Sequence, residues 1–386
     1  MLRVLTLSTL FPDASRPNFG VFVERQTLGL AAHPDVALTA VAAIGVPPWP
    51  LSRHPRYRRF AAVPRQETWK GLDVLRPRFA VLPGTGGRFH AAALLRAVRR
   101  AIRGRTFDVI DASFFFPDGP AAVALGRELG IPVSIKARGA DIHHWARAPA
   151  TARQVRDAGV AADGLLAVSQ AMAGDIAALG IPAEKVRVHH TGVDLARFAP
   201  IDRAAAKAAL GVAGALIVSV GALIPRKGHD VVIDALARLD GATLLIAGEG
   251  EARGALEAQI ARAGVGDRVR LLGAVPHVEL PALIAAADVM ALASASEGLA
   301  NVWVEGLACG TPVVTPPVGG ALEVVTAPSA GRVVPREADA FAGAIADLLA
   351  APPPADAVRA HALDFTWEAN SAALYGHLTG LVQARG

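Results

Sequence analysis

The chain alternates short apolar runs with Ala-rich helical stretches along its whole length, and this rhythm constrains the fold more than any other feature. Six strand-like runs fall in the first half: RVLTLS, VALTAVAAI, FDVIDAS, PVSIKARG, GLLAVS and KVRVHH. Six more fall in the second half: LIVSVGAL, TLLIAGEG, VRLLGAV, VMALAS, TPVVTP and GRVVP. Such βαβα alternation predicts parallel sheets covered by helices on both faces. Right-handed crossovers then place the ligand-binding loops at the carboxyl ends of the strands.

A chain of 386 residues is longer than one hydrophobic core usually supports, so two domains are expected. Residues 1–198 hold 26 Lys and Arg against 15 Asp and Glu, a net charge of +11, whereas residues 199–386 hold 13 against 19, a net charge of −6. We therefore predict domains at 1–198 and 215–365, joined by a linker at 199–214. A terminal helix at 366–386 is expected to pack back onto the first domain.

No segment is typical of a transmembrane helix, because the weakly polar stretch from Val36 to Ser52 is short and interrupted by prolines. The N-terminal run MLRVLTLS lacks a small-residue cleavage site and is interpreted as a first strand, which predicts a cytoplasmic protein. The single cysteine, Cys309, lies among small apolar residues and is interpreted as a buried spectator.

The basic first half predicts an anionic partner, such as a membrane surface, a phosphorylated molecule or nucleic acid. Arg96, Arg99, Arg100 and Arg103 recur at helical spacing beside Ala and Leu. This stripe is typical either of an amphipathic helix that docks on a membrane or of an ordinary solvated helix face. Nucleic acid is not favoured, because no stacking aromatic residues accompany the arginines.

Two glutamates eight positions apart, Glu297 and Glu305, stand in the segment SASEGLANVWVEGLACGTPVV at 294–314. This segment resembles the E-x7-E signature of retaining glycosyltransferases, and of glycosyltransferase family 4 in particular. The resemblance implies the α/β fold known as GT-B, in which two Rossmann-like domains face each other across a cleft. It is most specific over residues 215–325 and looser over the first 200.

The same segment predicts local structure that suits a nucleotide-sugar donor. VMALAS ends as a strand, GLAN forms a turn and VWVEGLACG begins a helix, so backbone N–H groups at the helix N-terminus could bind a diphosphate. Glu297 could accept hydrogen bonds from sugar hydroxyls and Glu305 from a ribose diol. The alternative is a pair of carboxylates that merely stabilise helix termini. The expected backbone donors are Gly298, Leu299, Ala300 and Asn301.

A basic pair, Arg226 and Lys227, follows a strand and a turn at Gly221 in VSVGALIPRKGHD. The resemblance implies that these two cations neutralise the donor diphosphate, Arg as a planar fork and Lys as a point charge. A solvated pair is the alternative. The chain contains no D-x-D pair, so no metal is expected, and no cofactor beyond the nucleotide-sugar co-substrate.

Further glycine loops are expected near the donor. Gly319 and Gly320, followed by Glu323, open a helix after the strand TPVVTP. Gly248 and Gly250 superficially imitate a dinucleotide fingerprint, but the spacing to the next glycine is one residue too long. We interpret their segment as a loop beside the nucleotide.

In the first half the resemblance implies two contributions. Gly20, in the run Asn18-Phe19-Gly20, would face the donor phosphates. Arg138 opens RGADI, which is similar to a family loop near the transferred sugar that carries either His or Arg, and here an imidazole is absent. The following HHTGVD at 189–194 is interpreted as structural.

Taken together, the resemblance implies a retaining, metal-independent hexosyltransferase. Its acceptor would be a glycan, lipid-linked, in polysaccharide biosynthesis, which would bring the protein to the inner membrane face as a peripheral protein. One alternative is a nucleotide-sugar 2-epimerase of the same fold, which needs no second substrate. Another is an inactive binding subunit, against which both glutamates and the Arg-Lys pair argue.

Overall fold

The computed structural model describes residues 1–17 and 19–385, which form two compact units. The first unit comprises Met1–Gly192 and Trp367–Gly386, and the second comprises Val193–Thr366. With these bounds the first unit holds 26 Lys and Arg against 15 Asp and Glu and the second holds 13 against 19, the same charges of +11 and −6 that the two sequence halves carry.

The first unit is built on an eight-stranded sheet with the order β10-β9-β8-β7-β1-β2-β5-β4, and a two-stranded sheet joins β3 to β6. The pairs are parallel except for β4 with β5. The strands are β1 (Leu2–Ser8), β2 (Val36–Ala42), β3 (Ile44–Val46), β4 (Gln66–Trp69), β5 (Leu72–Leu75), β6 (Arg78–Ala80), β7 (Val109–Ala112), β8 (Val133–Ala137), β9 (Gly164–Ala167) and β10 (Val186–Val188).

Six helices of the first unit connect these strands, with a π-helical turn at Asp141–Trp145. They are α1 (Val21–Ala31), α2 (Pro55–Arg58), α3 (His90–Ala101), α4 (Asp118–Leu129), α5 (Ala152–Ala161) and α6 (Gln170–Ala178). Strands β7, β8 and β9 are buried along their whole length, as expected for parallel strands covered on both faces.

The second unit has a six-stranded parallel sheet with the order β13-β12-β11-β14-β15-β16. The strands are β11 (Ala215–Val220), β12 (Ala242–Ala247), β13 (Val269–Gly273), β14 (Val289–Ala291), β15 (Val313–Thr315) and β16 (Gly331–Val333). The helices are α7 (Arg203–Ala209), α8 (His229–Leu236), α9 (Arg253–Ala263), α10 (Leu280–Ala286), α11 (Asn301–Ala308), α12 (Ala321–Val324), α13 (Ala338–Ala350) and α14 (Ala355–Ala360). The last helix of the chain, α15 (Trp367–Gln383), belongs to the first unit.

All twelve strands that the sequence predicts are present, and each unit has the expected parallel α/β architecture. The excursion β3 to β6 was not predicted. Its strand β4 alternates between exposed and half-buried side chains, so the hydrophobic pattern there is weak. The hairpin that joins β4 to β5 turns at Lys70 and Gly71, which both have positive φ.

The expected linker at 199–214 requires correction, because this segment is folded into the second unit. It contains α7, whose N-terminus is capped by Asp202 through a 3.0 Å hydrogen bond to the Ala205 N–H. Lys207 on this helix forms an ion pair with Asp288 at 2.8 Å. The first unit also ends at Gly192 rather than at 198.

The basic helix α3 does not have a free apolar face. Ala91, Leu94 and Val98 are buried in the first unit, whereas Arg99 is exposed and pairs with Glu128 on α4. The arginine stripe is therefore a solvated face, and α3 is not the membrane-docking helix that one interpretation of the sequence expected. Among the described residues, no helix combines the length and apolarity that crossing a membrane would need.

Replacing Gly248 with Ala should destabilise the second unit by about 2–4 kcal/mol, because the added Cβ would lie 1.8 Å from the carbonyl oxygen of Gly221. Chemical denaturation followed by circular dichroism measures this. The matched control is Gly254→Ala, where the added Cβ meets no described atom within 4 Å and stability should rise by up to about 1 kcal/mol. Equal effects at both positions would contradict the packing argument.

Candidate functional site

The second unit brings three of the predicted site residues together at the carboxyl edge of its sheet. Lys227 donates to Glu297 Oε1 at 2.5 Å, and Arg226 Nη1 lies 3.5 Å from Glu297 Oε2. Ser294 also donates its hydroxyl to Glu297 Oε1, at 2.7 Å. The side chains of Lys227 and Glu297 are mostly buried, whereas Arg226 is about half exposed. Two cations and a carboxylate therefore form one cluster.

This cluster forms because the loop after β11 and the loop after β14 are in direct backbone contact. An added Cβ at Gly228 would lie 1.9 Å from the carbonyl oxygen of Ala293, so only glycine allows the turn after Lys227 to pack there. The Ala295 N–H donates to the Arg226 carbonyl at 2.8 Å. Arg336 joins both loops, since it donates to the carbonyls of Ala293 at 2.7 Å and Pro225 at 3.3 Å.

The N-terminus of α11 lies directly after Glu297. Among the described residues no side chain caps this helix, so its first N–H groups, in the region of Leu299, Ala300 and Asn301, can serve an anionic ligand. The Gly320 N–H donates to the Gly298 carbonyl at 2.8 Å, and an added Cβ at Gly319 would lie 2.3 Å from the Glu297 carbonyl oxygen. The second glycine loop thus supports the loop that carries Glu297.

Glu305 lies one turn inside α11 and is mostly buried. Its Oε1 atom is 3.8 Å from His277 Nε2, in the loop that follows β13. The His277 ring packs edge-on against Phe198 with centroids 5.9 Å apart, and its carbonyl accepts a hydrogen bond from Arg197. A carboxylate with an imidazole beside it can bind a diol or another pair of hydroxyl donors.

The other predicted glycines of the second unit have packing roles. An added Cβ at Gly221 would lie 3.4 Å from Lys227 Cδ, so this residue borders the cation cluster. Gly248 approaches the Gly221 carbonyl and Gly250 approaches the Leu223 carbonyl, at 1.8 and 2.2 Å from their ideal Cβ positions. Close contact between these loops therefore requires both glycines, independently of any ligand.

His229 fixes the turn at Gly221, and sequence reasoning missed it. Its Nδ1 lies 3.0 Å from Ser219 Oγ and its Nε2 lies 3.3 Å from the Gly221 carbonyl. Burial lowers the pKa of His229, which favours a neutral ring that donates from Nε2 and accepts at Nδ1. The only sequence signal for this role was that His229 directly follows Lys227 and Gly228.

In the first unit, Gly20 precedes α1 with φ at 71°, and its ideal Cβ would lie 2.6 Å from the Leu10 carbonyl oxygen. This contact brings the loop after β1 against the start of the helix, at the carboxyl edge of the sheet. The neighbouring Asn18, expected in the same loop as Gly20, lies outside the described residues.

Arg138 is held at the end of β8 by two hydrogen bonds. Its Nε donates to the Ser113 carbonyl at 2.7 Å and its Nη2 donates to Gln26 Oε1 at 3.0 Å, while the guanidinium lies over the ring of Phe22. Burial lowers the pKa of Arg138 to about 10, an effect that Asp111 and Asp141 oppose, so the group remains charged at neutral pH.

Buried carboxylates organise the loops around Arg138. Asp141 accepts the backbone N–H groups of Arg138, Gly139 and Phe115 at 2.8 to 3.1 Å. Asp118 accepts the Thr9 N–H at 2.9 Å, and its Oδ1 has no partner among the described residues. Burial raises the pKa of Asp118 to about 7.

Within the described part of the chain, no cluster of three or more His, Cys, Asp or Glu side chains could hold a metal ion.

Two protein-family models match consecutive parts of the sequence. The model for Glycosyltransferase Family 4 matches residues 51–197, and the model for Glycosyl transferases group 1 matches residues 202–363. The chain belongs to glycosyltransferase family 4. The expectation from the E-x7-E segment is therefore confirmed at the level of the family.

Among curated relatives, this family member is similar to D-inositol 3-phosphate glycosyltransferases. The protein of Segniliparus rotundus is 37% identical over 203 residues, which cover 49% of this chain and 45% of the relative. That of Mycolicibacterium paratuberculosis is 37% identical over 203 residues, covering 49% and 46%. The match thus spans about half the length of these relatives.

Solved structures of glycosyltransferases confirm the GT-B fold for this family member. Sucrose-phosphate synthase from Thermosynechococcus elongatus superposes with a TM-score of 0.84 at 21% identity, covering 100% of both chains. The Anabaena HepE protein in complex with UDP superposes with a TM-score of 0.76 at 20% identity, covering 98% of this chain and 100% of HepE.

Double-mutant analysis should reveal strong coupling between Lys227 and Glu297. Lys227→Met removes the shortest charge contact of the mostly buried Glu297, and Glu297→Gln removes the carboxylate that Lys227 contacts, so the double variant should be less destabilised than the sum of the two. We expect a coupling free energy of about 1–3 kcal/mol from chemical denaturation. The exposed pair Arg238–Asp339 is the control, with coupling of about 0–1 kcal/mol. Additive effects at Lys227 and Glu297 would refute the pairing.

Asp118→Asn should change how stability depends on pH. The folded-state pKa of Asp118 is raised to about 7 from 3.8, so its contribution to stability is complete below about pH 4 and is lost as the pH rises through 7. The amide keeps an oxygen for the Thr9 N–H and does not titrate. The stability of the variant relative to wild type should therefore increase from pH 4 to pH 8, as measured by denaturation at each pH. Parallel curves would show that Asp118 has no raised pKa.

Proposed function

We propose that this chain is a retaining, metal-independent hexosyltransferase that transfers a hexose from a nucleotide-diphosphate sugar to a glycan acceptor. The observation that carries the proposal is the cluster of Arg226, Lys227 and Glu297 directly before the uncapped N-terminus of α11. It combines the charges that a diphosphate needs with an acceptor for sugar hydroxyls. Family membership supports the reaction class.

The donor diphosphate would bind to Arg226, Lys227 and the first N–H groups of α11. Negative charge on the diphosphate grows as its bond to the anomeric carbon stretches, so these groups stabilise the transition state more than the ground state. Glu297 would orient the sugar through its hydroxyls, and Glu305 would bind the ribose diol. The cation pair would supply the charge neutralisation that a divalent ion supplies in other transferases.

Transfer would replace one bond at the anomeric carbon with another. The bond to the diphosphate oxygen breaks as the bond to the acceptor oxygen forms on the same face of the sugar. The proton of the acceptor hydroxyl passes to the departing phosphate oxygen. In the first unit, Gly20 would approach the phosphates and Arg138 would contact the transferred sugar.

A lipid-linked glycan of a polysaccharide pathway is the acceptor that we propose. The net charge of +11 on the first unit supports a phosphorylated acceptor and a peripheral position at an anionic membrane surface. Inositol 3-phosphate, which the names of the curated relatives specify, is a second phosphorylated acceptor that belongs in the assays.

Product analysis separates this proposal from a nucleotide-sugar 2-epimerase. Incubation of the donor without acceptor should leave the sugar configuration at C2 unchanged, and transfer to an acceptor should give a product with the anomeric configuration of the donor by NMR. Epimerised sugar without acceptor, an inverted product or loss of activity in EDTA would each refute part of the proposal. An inactive subunit would bind the donor and transfer nothing.

Binding of a nucleotide-sugar should raise the Tm of the protein in a screen of UDP-, GDP-, ADP- and dTDP-sugars. UDP-sugars are the first candidates, since HepE was solved in complex with UDP. Glu305→Ala should weaken binding of the matching nucleotide by about 10- to 100-fold, because a carboxylate that accepts two ribose hydroxyls is lost. Glu257→Ala on α9 is the matched control and should bind like wild type. An unchanged Kd in Glu305→Ala would remove this residue from the site.

A further inference from the structure

Four of the large apolar side chains that the first unit exposes lie on the segments that follow β3 and β6. Trp49 is 72% exposed, Leu51 49%, Phe89 48% and Leu82 36%. Single exposed apolar residues are common on proteins, whereas several on neighbouring segments are typical of an interaction site. We call these four residues the Trp49 patch.

The two segments that carry the Trp49 patch leave the same end of a small sheet. Strands β3 and β6 are parallel, with Val46 paired to Ala80, and the Val81 N–H donates to the Val46 carbonyl at 3.0 Å. Trp49 and Leu51 follow β3 by a few residues, and Leu82 and Phe89 follow β6. The four residues therefore lie on two segments that begin at the same end of this small sheet.

The surrounding chain is anchored, which distinguishes the patch from a loosely packed loop. Phe60 and Val63 are buried against Ile44, with Val46 and Tyr57 packed alongside. Arg78 ties this segment to β6 by donating to the Phe60 carbonyl at 2.9 Å and to the Val63 carbonyl. The fold thus buries some apolar residues of this region and leaves Trp49 and Leu51 outside.

The two segments that carry the patch are rich in arginine, although three of their arginines pair with acidic side chains outside them: Arg76 with Glu67, Arg99 with Glu128 and Arg105 with Asp73. Residues 36–66 contain five arginines and no acidic residue, and residues 74–107 contain eight arginines and no acidic residue. Four of these arginines lie close in sequence to the patch and are exposed: Arg53, Arg58, Arg59 and Arg88. Apolar side chains among guanidinium groups match the interface of an anionic bilayer, where tryptophan resides at the headgroup level and arginine contacts phosphate.

We propose that the Trp49 patch is the membrane-docking element of this chain and inserts into the headgroup region of anionic lipid. Aliphatic Leu51 and Leu82 gain from burial in acyl chains, and a nucleic acid offers them no comparable environment. The inference rests on the proposed function only for the reason to bind a membrane, since the enzyme would encounter a lipid-linked acceptor there. The docking element is distinct from α3, whose apolar face is buried.

The test is co-sedimentation of the full chain with vesicles of phosphatidylcholine alone or with about 30% anionic phosphatidylglycerol added. Wild type should bind the anionic vesicles and lose most binding in about 0.5 M NaCl, because salt screens the arginines. The double variant Trp49→Ser/Leu51→Ser should bind at least about tenfold more weakly.

Two further variants locate the contact. The matched control Val278→Ser/Leu322→Ser removes apolar side chains of similar exposure, 75% and 66%, from the second unit and should bind vesicles like wild type. Trp49→Phe should also bind, because the ring remains apolar, but it should lose the fluorescence quenching that brominated lipids cause in wild type. The remaining tryptophans, at positions 69, 145, 303 and 367, are half-buried or buried and should not be quenched.

Several results would overturn the proposal. The first two are equal vesicle binding by Trp49→Ser/Leu51→Ser and wild type, and an equally large loss of vesicle binding in the control Val278→Ser/Leu322→Ser. The others are fluorescence quenching that persists in Trp49→Phe, and RNA that displaces wild type from vesicles. Thermal shift with nucleotide-sugars is measured on the same variants. If wild type binds nucleotide-sugars but not vesicles, the docking proposal fails and the proposed function stands. If wild type binds vesicles but no nucleotide-sugar raises its Tm, the proposed function fails and the docking proposal stands.

Discussion

The contact between Lys227 and Glu297 depends on the absence of a side chain at Gly228. Because an added Cβ there would overlap the Ala293 carbonyl, the turn that carries the two cations can approach the end of β14 only with glycine. Lys227 then reaches the carboxylate at 2.5 Å, and Ser294 completes its hydrogen bonding. Under the proposed function, Glu297 would orient the sugar and the two cations would bind the phosphates. These groups are already positioned next to each other before the donor binds, so less conformational entropy is lost on binding.

The sequence predicts this region well where the pattern is local. Strand, turn and helix follow each other around Glu297 as the apolar run, GLAN and VWVEGLACG indicate, and the position of Lys227 follows from its own strand and turn. Contacts between distant segments were not predictable. Nothing in the chain near Arg336 indicates that it would join the carbonyls of Ala293 and Pro225, because a side chain that bonds to backbone leaves no sequence pattern.

Other failures have equally physical causes. The segment 199–214 has the small and polar residues of a connector, yet Ala206, Leu210 and Val212 pack against the sheet of the second unit, so tertiary contacts determine its structure. The helical spacing correctly predicted that the arginines of α3 share one face. It does not reveal whether the opposite, apolar face packs on its own domain or on a membrane, and the structure shows that this face is buried in the first unit.

The first unit shows how one polar chain of contacts can span several elements. Gln26 Oε1 accepts from both Arg138 and Lys136, and Lys136 lies 2.7 Å from His189 Nδ1. His189 Nε2 lies 2.8 Å from the Asn370 carbonyl and so acts as the donor there, which leaves Nδ1 to accept from Lys136. Burial lowers the pKa of Lys136 well below its ordinary value, so an uncharged amine can occupy this interior position.

The glycines at 228, 248 and 319 affect how the candidate site can diversify. At each of them one loop touches the next through main-chain atoms, so the arrangement of the loops is set by peptide geometry rather than by side-chain volume. Side chains at the site can then be exchanged without moving these loops. A scaffold of this kind separates architecture from chemistry, and new ligand preferences become accessible through few substitutions.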